Sequence, residues 1–78
     1  MTASLGWWKM RSMADLRTWR ELRLKQRERE AMLLDLGALV YELHRQGKRA
    51  PELLQDKAIE LGKVDRDVRA LEEALEGR

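Results

Sequence analysis

The chain contains no cysteine, no phenylalanine, one proline and one histidine. Without thiols there is neither a disulfide framework nor a thiolate zinc site, and His44 alone cannot assemble a metal centre. The missing phenylalanine and the scarcity of β-branched residues argue against a sheet. No run approaches the roughly 20 apolar residues that cross a bilayer. Lys9 and Arg11 interrupt what would be the apolar stretch of a signal peptide, so a cytoplasmic location is expected. Glycine-rich phosphate loops are absent, Ser4 and Ser12 lie near the start, and Thr18 sits among arginines. We therefore expect no catalytic residues, no cofactor and no metal, and a protein that is not an enzyme.

What remains is charge and leucine. Charged residues make up 38% of the 78, a composition typical of long helices and coiled coils. A chain of this size builds only a marginal core, which disulfides, metals or oligomerisation usually supplement; with the first two excluded, association is the aid left. The net charge of +2 is unevenly placed. Residues 1 to 29 carry eight bases against three acids, whereas acids outnumber bases in residues 30 to 78.

The apolar pattern predicts an all-α fold, an antiparallel, coiled-coil-like two-helix hairpin. Leu22, Leu33, Leu36 and Leu43 climb toward a Gly/Pro turn, and Leu75, Val64, Leu61 and Leu54 descend from it at matching distances. Helix 1 is expected over about 14–46, with the seam Trp19, Leu22, Gln26, Arg29, Leu33, Leu36, Val40 and Leu43. Gly47 suits the residue after a helix end. The turn covers 47–50 and helix 2 about 51–76, opened by Pro51 at the first helical position with Glu52 in the first turn. Leu54, Leu61, Val68 and Leu75 recur every seven residues, with Val64 and Leu71 between them, a period that predicts left-handed supercoiling. Lys57 breaks the series, and Ala58 beside it can fill the seam. Residues 1–13 form an N-terminal arm, flexible or helical, ahead of the hairpin at 14–78. Four-residue pairs are expected on the outer faces: Glu21 with Lys25, Asp65 with Arg69, Lys63 with Asp67 and Arg69 with Glu73.

Apolar residues exceed what one hairpin can hide. Met32 and Leu39 extend a second stripe beside Leu36 and Leu43, widened by Leu34 and Tyr41. A homodimer closing into a four-helix bundle covers the excess most simply, because one self-complementary patch serves both copies. Self-association is accordingly assigned to Met32, Leu33, Leu36, Leu39, Val40, Leu43, Leu54, Leu61, Val64, Val68 and Leu71. Gly37 and Gly62, at nearly one level of the hairpin, each cost about 1 kcal/mol in a helix interior, and close backbone approach there would justify them.

Two features fall outside that pattern. Gln26 and Arg29 are polar seam positions. The guanidinium of Arg29 must reach water, through a splayed hairpin end, or a carboxylate, with Asp65, Asp67 and Glu72 as candidates. The second feature is basic and tryptophan-bearing: Trp7, Trp8, Lys9, Arg11, Arg17, Arg20, Arg23, Lys25 and Arg27 suit contact with nucleic acid, with a membrane surface or with an acidic protein. Trp19 lies opposite Arg78, at cation–π distance if the helices pair as expected. His44, in the last turn before Gly47, favours the carbonyl ends of helix 1.

The run Leu33-Leu34-Asp35-Leu36-Gly37-Ala38-Leu39-Val40-Tyr41-Glu42-Leu43-His44-Arg45, followed by Gly47 and Ala50-Pro51-Glu52-Leu53-Leu54, resembles the helical hairpin of small uncharacterised bacterial zinc-ribbon proteins. The resemblance covers residues 33 to about 75 and implies a hairpin. The ribbon itself cannot be carried over, because its cysteines have no counterpart. The sequence thus points to a non-enzymatic, self-associating helical hairpin, with a nucleic-acid-binding protein and a peripheral membrane or acidic-partner binder as alternatives.

Overall fold

The computed structural model describes residues 13 to 77, which form two helices joined by a tight turn. Helix α1 spans Met13–Gln46 and α2 spans Pro51–Glu76. Met13, expected in the arm, is the first residue of α1; residues 1 to 12 and Arg78 lie outside the described residues, and the proposed contact between Trp19 and Arg78 lies there with them.

Local chemistry fixes both sides of the turn. Gly47 has φ +64°, a backbone conformation that costs an L-residue roughly 1–2 kcal/mol. In that conformation its N–H donates to the His44 carbonyl at 3.1 Å and the Lys48 N–H donates to the Leu43 carbonyl at 2.9 Å. These two bonds make a Schellman ending and satisfy carbonyls that the helix leaves open. On the far side Ala50 supplies no side-chain cap, and Pro51 removes one of the donors that would otherwise need one. The first α2 bond then runs from the Leu54 N–H to the Ala50 carbonyl at 3.0 Å.

The helices run antiparallel. Leu43 and Leu54 meet beside the turn, while Arg29 and Lys25 reach Asp65 and Asp67 further along. The resulting body measures 57 × 20 × 16 Å with a radius of gyration of 17.6 Å, against about 11–12 Å for a compact chain of this length. So thin a body encloses little. Leu22 is 3% exposed and Val68 is fully covered, and with Val64 they are the only buried apolar residues among those described.

The seam departs from the expected one by a rotation of α1. Leu22, Arg29, Leu36 and Leu43 are covered or half-covered as the heptad requires, and so are Leu54, Leu61, Val64, Val68, Leu71 and Leu75 on α2. At the alternate positions of α1, however, the half-buried residues are Lys25, Met32 and Leu39, with Gln26 the one expected residue that stays half-buried beside them. Leu33 is 51% and Val40 47% exposed, and Trp19 is exposed as well. Apolar residues flank the central line of α1 on both sides, so its own pattern does not choose between them; pairing with α2 does. Lys57 and Ala58 are both exposed, and Ala58 does not fill the seam.

Candidate functional site

A polar cross-link holds the hairpin halfway along. Arg29 is half-buried, and its Nη1 donates to Asp65 Oδ1 at 2.9 Å, while Arg69 Nε donates to Asp65 Oδ2 at 2.9 Å. Asp65 is one of the three carboxylates within reach on sequence grounds. The hairpin does not splay to solvate the guanidinium, since Leu22 and Val68 beyond it are the best-covered residues. Lys25 Nζ bridges Asp67 at 3.4 Å and Glu28 at 3.7 Å. Of the four outer pairs expected, only Asp65 with Arg69 forms among the described residues; Lys25 turns toward α2 and leaves Glu21. Near the turn Glu42 accepts from Arg45 at 3.0 and 3.2 Å and from Gln46 at 3.1 Å.

These contacts displace the titrations. The Arg29 hydrogen bond holds the Asp65 carboxyl below the ordinary carboxylate range against the opposing effect of partial cover, with the charge of Arg69 assisting. Hydrogen bonding to Asp67 raises the Lys25 ammonium, reinforced by the charge of Glu28, and the Arg45 hydrogen bond lowers Glu42. A carboxylate lowered in the folded state stabilises that state fully above its unfolded value, near 4, and loses the contribution as pH falls through the folded value. The gap in urea midpoint between wild type and Asp65→Asn should therefore be constant from pH 7 to 5 and narrow below about pH 4. A gap that persists undiminished in acid would show that the charge of Asp65 is not what stabilises.

The two sides of the hairpin differ in character. On one, Met32, Asp35, Lys57 and Glu60 line a small charged cleft of about 140 Å³. On the other, Leu33, Ala58, Leu61 and Gly62 line an open groove of about 280 Å³ with Arg29 and Asp65 at its end. The same side continues toward the turn as a hollow of about 420 Å³ between Val40, Leu43, His44, Pro51 and Leu54. Leu34 and Tyr41 are 71% and 64% exposed. Together these residues make one apolar face that the chain itself leaves open.

Gly37 lies at its centre. Leu33 and Leu34 precede it by four and three residues and Val40 and Tyr41 follow by three and four, the spacings that surround a helical position with its surface neighbours. A Cβ added at Gly37 would meet nothing within 4 Å, and one at Gly62 would meet only Arg66 Nη1 at 3.9 Å. The close approach expected at these glycines is therefore not made by the opposite helix. The self-association set expected from the sequence contains Leu33, Val40, Leu54 and Leu61 of this face, but that expectation puts Leu33 and Val40 in the intrachain seam and centres the open stripe on Met32 and Leu39.

Among the basic residues, Arg17, Arg20, Arg23 and Arg27 are exposed on α1, and Lys25 is drawn toward α2. Trp7, Trp8, Lys9 and Arg11 lie outside the described residues. His44 is exposed at the rim of the larger hollow. Among the described residues no cluster of His, Asp or Glu could hold a metal ion, and no helix is long and apolar enough to cross a membrane.

This geometry defines an all-helical two-helix hairpin with one open apolar face. No protein-family model matches the chain, and neither a curated protein nor a solved structure matches it.

Proposed function

We propose that the chain is a non-enzymatic self-association module and that a second copy covers the face centred on Gly37, closing a four-helix bundle. One observation supports this above the others: Leu33, Leu34, Val40 and Tyr41 stand in water around a glycine that has no neighbour. At half to three-quarters exposure each forgoes on the order of 1–2 kcal/mol of burial.

The area fits a second copy. The chain exposes 6630 Å², whereas a compact globule of its mass exposes about 4900 Å². The excess of roughly 1700 Å² per chain, about 3400 Å² over a pair, lies in the range that obligate homodimer interfaces remove from water. A two-fold pairing lets the same patch serve both partners, and the paired glycine positions allow the helices to approach closely at the crossing. Relative to the stripe read from the sequence, Leu33 and Val40 turn outward to the partner, while Met32 and Leu39 belong to the intrachain seam.

Sedimentation equilibrium across the micromolar range tests the reading. A mass of two or four chains is expected. A folded, monomeric chain at these concentrations would refute it.

A further inference from the structure

The outer side of α1 carries a feature that self-association leaves unused. Arg17, Arg20, Arg23 and Arg27 recur at spacings of three, three and four, which keeps them along one side of the helix. All four are exposed, and none has an ion-pair partner among the described residues. The cations nearby behave differently. Lys25 and Arg29, on the α2 side of the same helix, are both neutralised by carboxylates of the hairpin. The first half of α1 thus turns a paired set of cations toward α2 and an unpaired ridge outward.

We propose that this ridge binds the phosphate backbone of a nucleic-acid duplex. From Arg17 to Arg27 the helix rises about 15 Å, a length over which one duplex strand presents about four phosphates. Four guanidiniums meet four phosphates, and arginine is the side chain whose planar fork matches phosphate oxygens bidentately. The contacts are to backbone, so the binding is indifferent to base sequence. A lipid surface fits the ridge less well. An interfacial helix gathers its apolar side chains on one face, whereas Met13, Leu16 and Leu24 are interleaved with the arginines and the continuous apolar side of α1 is committed to α2 through Leu22. The ridge shares a side of α1 with Leu34 and Tyr41 but lies nearer the helix start, Arg27 standing ten residues, about 15 Å of helix, before Gly37, so duplex binding and pairing are measured separately.

The test is fluorescence anisotropy of a labelled 20-base-pair duplex of mixed sequence, titrated with the full chain at 50 and 200 mM salt. Release of counterions from four phosphates should weaken binding about 150-fold over that range, and the one arginine left in Arg20→Gln/Arg23→Gln/Arg27→Gln should account for only about 3.5-fold. The triple variant should keep the wild-type helix content and mass, since the replaced side chains are exposed and glutamine is a good helix former. Absence of binding at 50 mM salt, an affinity insensitive to salt, or a triple variant that binds like wild type would each overturn the proposal. So would binding to anionic phospholipid vesicles without binding to duplex. Salt-sensitive self-association that the triple variant abolishes, again without duplex binding, would instead give the ridge to the acids of another copy's α2.

Discussion

Leu22→Ala should leave the chain largely unfolded at room temperature, while Leu24→Ala, the same change two residues along, should be almost silent. Leu22 is all but fully covered, and Leu24 is mostly in water. Truncating a buried leucine costs about 2–5 kcal/mol, the lost transfer energy plus a cavity that the surroundings only partly fill. Truncating an exposed one away from such features stays within about 0.5 kcal/mol. The first figure is decisive because a chain of this size draws only about 3–5 kcal/mol from a single core. Among the described residues that core is three side chains, Leu22, Val64 and Val68, so losing one leaves little reserve. Urea unfolding followed by helix circular dichroism measures both variants. Equal midpoints for the two would mean that the end of α1 does not pack on α2 as described.

How much of this was legible beforehand follows from what each signal depends on. The turn was readable because its chemistry is local: Gly47 is needed for a positive φ and Pro51 for a helix start, and both act within a few residues. The α2 seam was readable because its apolar residues lie on one line only. The rotation of α1 was not, since Met32 and Leu39 on one flank and Leu33 and Val40 on the other satisfy the same heptad equally well. The choice is made across the helix pair, where Lys25 meets Asp67 and Arg29 meets Asp65 on α2. No periodicity within α1 contains that information. The same limit explains the outer pairs. Spacing of four residues placed Lys25 beside Glu21, but a carboxylate on the neighbouring helix drew it inward. The candidate face inherits the ambiguity, because deciding which flank of α1 meets α2 also decides which flank is left over.

That leftover flank can be broken without touching the hairpin. In Leu33→Glu/Val40→Glu both new carboxylates occupy positions that are half in water in the single chain, so the lone hairpin loses little. In the proposed pair they would be buried without partners, and two-fold symmetry places four of them at one interface. An uncompensated buried charge costs several kcal/mol, and even about 4 kcal/mol raises a dissociation constant by three orders of magnitude. The sedimenting mass should therefore fall to that of one chain at micromolar concentrations where wild type is paired. Lys57→Gln, on the charged side of the hairpin, supplies the contrast and should leave the mass unchanged. If the double variant still pairs, the Gly37 face is not the interface, even though the chain associates; if wild type itself is a monomer, association is absent altogether. The two failures are distinct because the substitution acts on one face and the wild-type mass reports on all of them.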